Sequence, residues 1–226
     1  MLSEMFYKLW ENGLIQKGIW ETVYMTLISS ALAYAIGLPL GVVLCVTDDG
    51  GIHPMKALNR TLGFIVNFFR SIPFIILMVA LLPVAKFVVG TALGNKAVIV
   101  MLVIGAAPYV ARMVESSVRE VDAGVIEAAQ SMGADNMQIV TKVLLPEAKP
   151  ALITGAAISI VTILSYSAMA ATIGGTGLGQ IAIIYGHQRS NADITWICVF
   201  LTVLIVQIIQ EAGSFIARKT DKRINK

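Results

Sequence analysis

The chain has 226 residues, of which 57% are hydrophobic and 14% charged, with a mean hydropathy of +0.78. Soluble domains carry about 25% charged residues, so this composition excludes an ordinary soluble globular protein and points to an integral membrane protein. The net charge of +3 is too small to suggest nucleic acid as a partner.

Residues 1–20 mix charged side chains with Trp10 and Trp20. The apolar run that follows is too long for the hydrophobic region of a signal peptide, so this segment is read as retained. Crossing a bilayer takes about 20 apolar residues. Five segments meet that length, roughly 20–46, 63–89, 95–114, 151–173 and 194–216. Gly37, Pro39 and Gly41 interrupt the first, which a membrane helix tolerates when neighbours satisfy the freed backbone groups. Pro73 and Pro83 fall within the second, which can therefore be two pieces. Cys45 and Cys198 sit near opposite ends of a bilayer core about 30 Å thick, so they are not expected to form a mutual disulfide. Neither has a His or a second Cys at metal-ligand spacing, and both read as small apolar residues.

Five spans place the termini on opposite sides. If residues 112–149 are cytoplasmic, that side holds Lys56, Arg60, Arg70, Arg112, Arg119, Lys142, Lys149, Arg218, Lys219, Lys222, Arg223 and Lys226. The other side holds Lys8, Lys17, Lys86, Lys96 and Arg189. The excess of basic residues favours a cytoplasmic C-terminus and an external N-terminus. Trp10, Trp20 and Trp196 then fall near the outer interface, where amphipathic rings are favoured. The basic tail is expected to face anionic lipid. Arg70 is expected to snorkel to the headgroups, or to brace against Glu115 or Glu120.

Ionisable residues lie only near the span ends, at Glu21, Arg70, Lys86, Lys96, Arg112 and Glu211. Ion-coupled carriers usually place such groups inside the bundle. His53 and His187 both read as loop residues, away from any metal-ligand or nucleophile–base arrangement. No P-loop pattern G-x4-G-K-[ST] occurs. The run Ile173 to Gln180 is rich in glycine, but it lacks the lysine and the spacing of a phosphate loop. It reads as a tight turn after the fourth span. No catalytic and no metal-binding residues are therefore assigned, and no cofactor is expected on this chain.

The polar stretch 115–149 reads as two short helices. Asp122 can cap the first, with Val125, Ile126, Ala129 and Met132 on one side and Gly133 as its stop. Asp135 and Gln138 make a capping-box pair for the second. Its apolar face is Ile139, Val140, Val143 and Leu144, and Pro146 and Pro150 are expected to break it before the fourth span. Small Ala128 and Ala129 would let another protein approach closely, and Gly133 makes a compact elbow. Such a helix can enter a partner's groove and pass on its movement. The same residues also suit an amphipathic helix lying on lipid headgroups. A helix-turn-helix DNA reader is disfavoured, because the segment lacks a basic recognition helix.

The pattern E-A-A-x3-G-x9-V-x-L-P, spanning Glu127, Ala128, Ala129, Gly133, Val143, Leu145 and Pro146, resembles the coupling motif of ABC-importer permeases. Val143 stands where that motif more often has Ile. Phe69 to Phe74, Gly105 to Arg112 and Tyr166 to Met169 look like the methionine-importer permeases of the same family. The resemblance covers nearly the whole chain. It implies an all-α integral membrane protein of the type I ABC importer permease fold, with five transmembrane helices and a cytoplasmic two-helix coupling loop. Residues 1–226 would form a single permease transmembrane domain in a bacterial inner membrane. It also implies a homodimer, two ATP-binding subunits that carry ATP and Mg, and an external substrate-binding lipoprotein, with methionine in its L or D form as cargo. The coupling role falls on the seven motif residues. Small and flexible residues of the fourth span, Ser165, Ser167, Ala168, Met169 and Thr172, are candidates for the path or its gate. Met169 can serve as a soft gate or simply fill a helix contact. Importers of another small solute, and a stand-alone pore or secondary carrier, are the competing readings.

Overall fold

The computed structural model describes residues 4–221. Lys222, Arg223 and Lys226 of the basic tail lie outside the described residues. Among the described residues the chain is helical and contains no strand. The helices are α1 (Glu4–Glu11), α2 (Leu14–Val46), α3 (Lys56–Ser71), α4 (Phe74–Ala80), α5 (Leu82–Val89) and α6 (Asn95–Arg119). They continue as α7 (Ala123–Ser131), α8 (Asn136–Gln138), α9 (Leu145–Met169), α10 (Leu178–Ile181) and α11 (Ala192–Thr220).

Among the described residues, four helical segments are long and apolar enough to cross a membrane: Leu14–Val46, Asn95–Arg119, Asn136–Ile173 and Ala192–Thr220. The second predicted span is not one straight helix. Lys56–Ser71 and Phe74–Ala80 meet at a bend of 102°, and they make a fifth span only if the bent pair is counted together. Pro73 causes the break. It disfavours helical backbone at Ile72, and it stands as N-cap of α4 with φ −54° and ψ 130°. Pro83 lies in the first turn of α5, where its missing N–H is not needed.

The third and fourth predicted boundaries also shift. α6 runs on to Arg119, five residues past the expected end. Pro146 and Pro150 do not stop the helix that leads into the fourth span. Asn136–Ile173 is continuous, because residues Ile139–Leu144 widen into a π-helical turn and Leu145 N–H reaches back to the Val140 carbonyl. The wider turn absorbs the missing donor and the ring bulk of Pro146.

The chain divides into two compact units. The first comprises Met1–Leu32, Ile72–Ala106 and Ile160–Gln210; the second comprises Ala33–Ser71, Ala107–Ser159 and Glu211–Lys226. In the first unit, Leu9, Ile15, Leu178, Ile181, Ile194 and Cys198 form a buried apolar cluster. The glycine run closes onto it as a turn. Gly174 and Gly177 have φ of 78° and 112°, and Leu178 N–H donates to Thr22 Oγ1 at 2.9 Å. Asn95 Oδ1 accepts from both Thr176 N–H and Thr176 Oγ1. His187 ends a second π-helical stretch, Ala182–His187, rather than lying in a loop.

In the second unit, Leu44, Val66 and Ala111 are the buried centre. Gly37 and Gly41 let α2 touch α6 through backbone. A Cβ at Gly37 would stand 2.6 Å from Val110 Cγ1, and one at Gly41 would meet the Ala111 carbonyl and the Val114 side chain. Asn59 Nδ2 donates to the Leu44 carbonyl at 2.7 Å and to Thr47 Oγ1 at 3.1 Å, tying α3 to the end of α2.

Candidate functional site

The polar connection after α6 belongs wholly to the second unit. Asp122 caps α7, its carboxylate accepting from Gly124 N–H at 2.7 Å. The helix ends in a Schellman closure. Ala134 N–H donates to the Ala129 carbonyl at 3.1 Å and Gly133 N–H to the Gln130 carbonyl at 2.9 Å. This closure needs a left-handed residue, and Gly133 supplies it at φ 79°. Asp135 and Gln138 then make a reciprocal capping box, with bonds of 2.8 and 3.2 Å.

Local chemistry therefore builds an elbow in which two helix ends present their side chains outward. Glu127, Ala128, Gly133 and Pro146 are exposed, Val143 and Leu145 are half-buried, and Ala129 is buried. The expected apolar side of α7 is narrower than its spacing suggests. Ile126 is half-buried beside buried Ala129, whereas Val125 is 41% and Met132 82% exposed. Val125 and Met132 are centred about 80° round the helix from Ile126 and Ala129, and both are exposed. Met137, just past the elbow, is also exposed. In the following helix Ile139 and Leu144 are buried and Val140 and Val143 half-buried, as their spacing predicts.

Glu127 and Gln130 share a cavity of about 440 Å³ with Asp48, Gly51, Ile52, Arg119 and Leu144. Behind it lies a charged group that is only partly legible in the sequence. Glu115 accepts from Arg112 Nη1 at 2.6 Å and from Arg119 Nη2 at 2.7 Å. Arg119 Nη2 also reaches Asp48 at 3.0 Å. Both oxygens of Glu115 are thereby taken, and Arg70 is exposed, so bracing of Arg70 on Glu115 is not what the structure shows. The i,i+3 and i,i+4 spacings of Arg112, Glu115 and Arg119 are a legible signal; the long-range reach to Asp48 is not.

The fourth-span candidates lie in the first unit. Ser165, Ala168, Met169 and Thr172 are exposed, while Ser167 is buried and donates to the Leu164 carbonyl at 2.7 Å. The Ala168 backbone also backs onto Gly179. Between these residues, Tyr166 stacks on Phe74 with ring centroids 4.4 Å apart and planes within 8°. Gly105 makes room for that stack, since a Cβ there would stand 2.9 Å from the Phe74 ring.

Residues 37–226 match the family described as binding-protein-dependent transport system inner membrane component. The chain belongs to this family. Among family members, the probable D-methionine transport system permease protein MetI of Vibrio cholerae is 49% identical over 94% of each chain. The methionine import system permease protein MetP of Bacillus subtilis is 48% identical, with 90% of this chain and 92% of that one covered. The D-methionine transport system permease protein MetI of Escherichia coli is 52% identical over 69% and 72% of the two chains. The structure is similar to a chain of the inward-facing MetNI methionine ABC transporter, with a TM-score of 0.92 and 47% identity over 97% of this chain and all of that one. An amino acid ABC transporter at 18% identity and a TM-score of 0.76 shares the fold alone. The fold is that of a type I ABC importer permease, and the chain is a multi-pass membrane protein of a transport system.

Proposed function

We propose that this chain is the membrane-spanning permease subunit of an ATP-driven importer that carries methionine into the cytoplasm. The observation that carries the reading is its likeness, over nearly its whole length, to permeases named for methionine transport. Residues 1–226 act as a single permease domain in the inner membrane. Two copies related by a two-fold axis enclose the path, because few helices from one chain can surround an amino acid. An external binding protein delivers the substrate, and two ATP-binding subunits holding ATP and Mg drive the cycle. The basic-residue count favours an N-terminus outside and a C-terminus inside. The exposed indoles of Trp10, Trp20 and Trp196 suit a position at a membrane–water interface.

In this cycle α7 is the docking element. Glu127, Ala128 and Gly133 enter the ATP-binding partner; Ala129, expected beside them, is buried against its own unit and supports α7 from behind, while Val143, Leu145 and Pro146 hold the return helix. The exposed stripe of Val125 and Met132 gives that contact an apolar component. Closure of the motor moves α7, and the attached helices follow as a rigid body. Ser165, Ser167, Ala168, Met169 and Thr172 stand near the path, with Met169 as a soft gate.

Proteoliposomes holding the permease with its cognate ATPase test the reading. Addition of the binding protein and labelled L- or D-methionine should give uptake that requires internal ATP. Uptake without ATP, or ATP-driven uptake of another amino acid in preference to methionine, would overturn it.

A further inference from the structure

α6 leaves the membrane in a turn that carries three charged residues on one stripe, Arg112, Glu115 and Arg119. Glu115 is 7% exposed, and a carboxylate so placed is stable only when paired. It is paired twice, once to each arginine. Each arginine in turn reaches a different element. Arg112 Nη2 donates to Asn67 Oδ1 at 3.1 Å and to the Gly63 carbonyl at 3.4 Å, both on α3. Arg119 Nη2 contacts Asp48, in the segment after α2, at 3.0 Å. One buried carboxylate thus links α6, through its two arginines, to α3 and to the segment after α2, shortly before the Asp122 cap of α7.

Two features indicate that the arrangement serves geometry more than stability. Arg112 Nε is buried without a partner, a cost that an apolar contact of the same volume avoids. Ion pairs also fix register and angle more narrowly than apolar packing does. The cavity shared by Asp48, Arg119, Glu127 and Gln130 places the end of this network beside the coupling helix itself.

We propose that Glu115 is a positioning residue for energy coupling. Through Arg112 and Arg119 it locks α3, the segment after α2 and α6 into one lever, so that displacement of α7 moves all three. The inference rests on the importer reading above. Without the lock, α7 still docks and ATP is still hydrolysed, but the displacement is lost as local slack.

The test compares methionine transported per ATP hydrolysed in proteoliposomes containing the full complex. Glu115→Gln keeps the shape and removes the charge. It should leave complex assembly and ATP hydrolysis near wild type and lower the transport ratio about five-fold or more. Asp48→Asn perturbs the solvent-facing end of the same network without stranding a buried charge, and should lower the ratio about two-fold. Loss of hydrolysis and transport in equal proportion in Glu115→Gln, with Asp48→Asn unaffected, would show a merely structural role and overturn the proposal. So would unchanged ratios in both variants. A wild-type complex that fails to couple methionine uptake to ATP would instead overturn the importer reading, and this inference with it.

Discussion

Glu127 is exposed on the second turn of α7, so its side chain contributes little to the fold of this chain. Surface substitutions of this kind usually change stability by less than about 0.5 kcal/mol. Glu127→Ala should therefore leave the thermal midpoint of the purified permease unchanged. It should nevertheless weaken capture of the ATP-binding subunit about ten-fold, as read by co-purification at matched expression, because charge-assisted contacts across an interface carry that much. Residue type and spacing make Glu127 recognisable from sequence, and its exposure agrees with a role in docking. Glu115 is the counter-example. Its sequence neighbours hint at ion pairs, but its burial and its link through Arg119 to Asp48 come from chain folding across many residues.

At the scale of elements, the elbow between α7 and the return helix is held by hydrogen bonds that are all local. The Schellman closure at Gly133 and the capping box at Asp135 span only a few residues each. Asp135→Ala removes the cap acceptor and should cost about 1 kcal/mol. Amide exchange should quicken at Gln138 and its neighbours, while exchange within α6 and α11 stays as in wild type. Because capping is local, both helix starts and the glycine stop are legible in the sequence alone. The same kind of reasoning fails at Pro146 and Pro150. A proline rule assumes an α-helical ladder, and the π turn over Ile139–Leu144 changes which carbonyl each N–H meets. The opposite holds at Pro73, where a bend of 102° separates α3 from α4 within the second predicted span.

For the molecule as a whole, close helix contact in the second unit depends on glycine. Gly41 lies against the Ala111 carbonyl and the Val114 side chain, so the α2 backbone meets α6 with no α2 side chain between them. Gly41→Leu forces these helices apart and should cost about 1–3 kcal/mol. The expected readout is a lower temperature of aggregation in detergent and a smaller monodisperse fraction, with membrane insertion retained. The membrane class, the apolar segments, the cap and stop residues of the polar loop and the family pattern are all legible in the amino-acid sequence. Each of these depends on composition or on interactions within a few residues. The angle at Pro73, the unbroken helix through Pro146, the exposed side of α7 and the pairing of Glu115 emerge only in the folded chain. These follow from which elements become neighbours, and neighbours in space are set by packing of the whole chain.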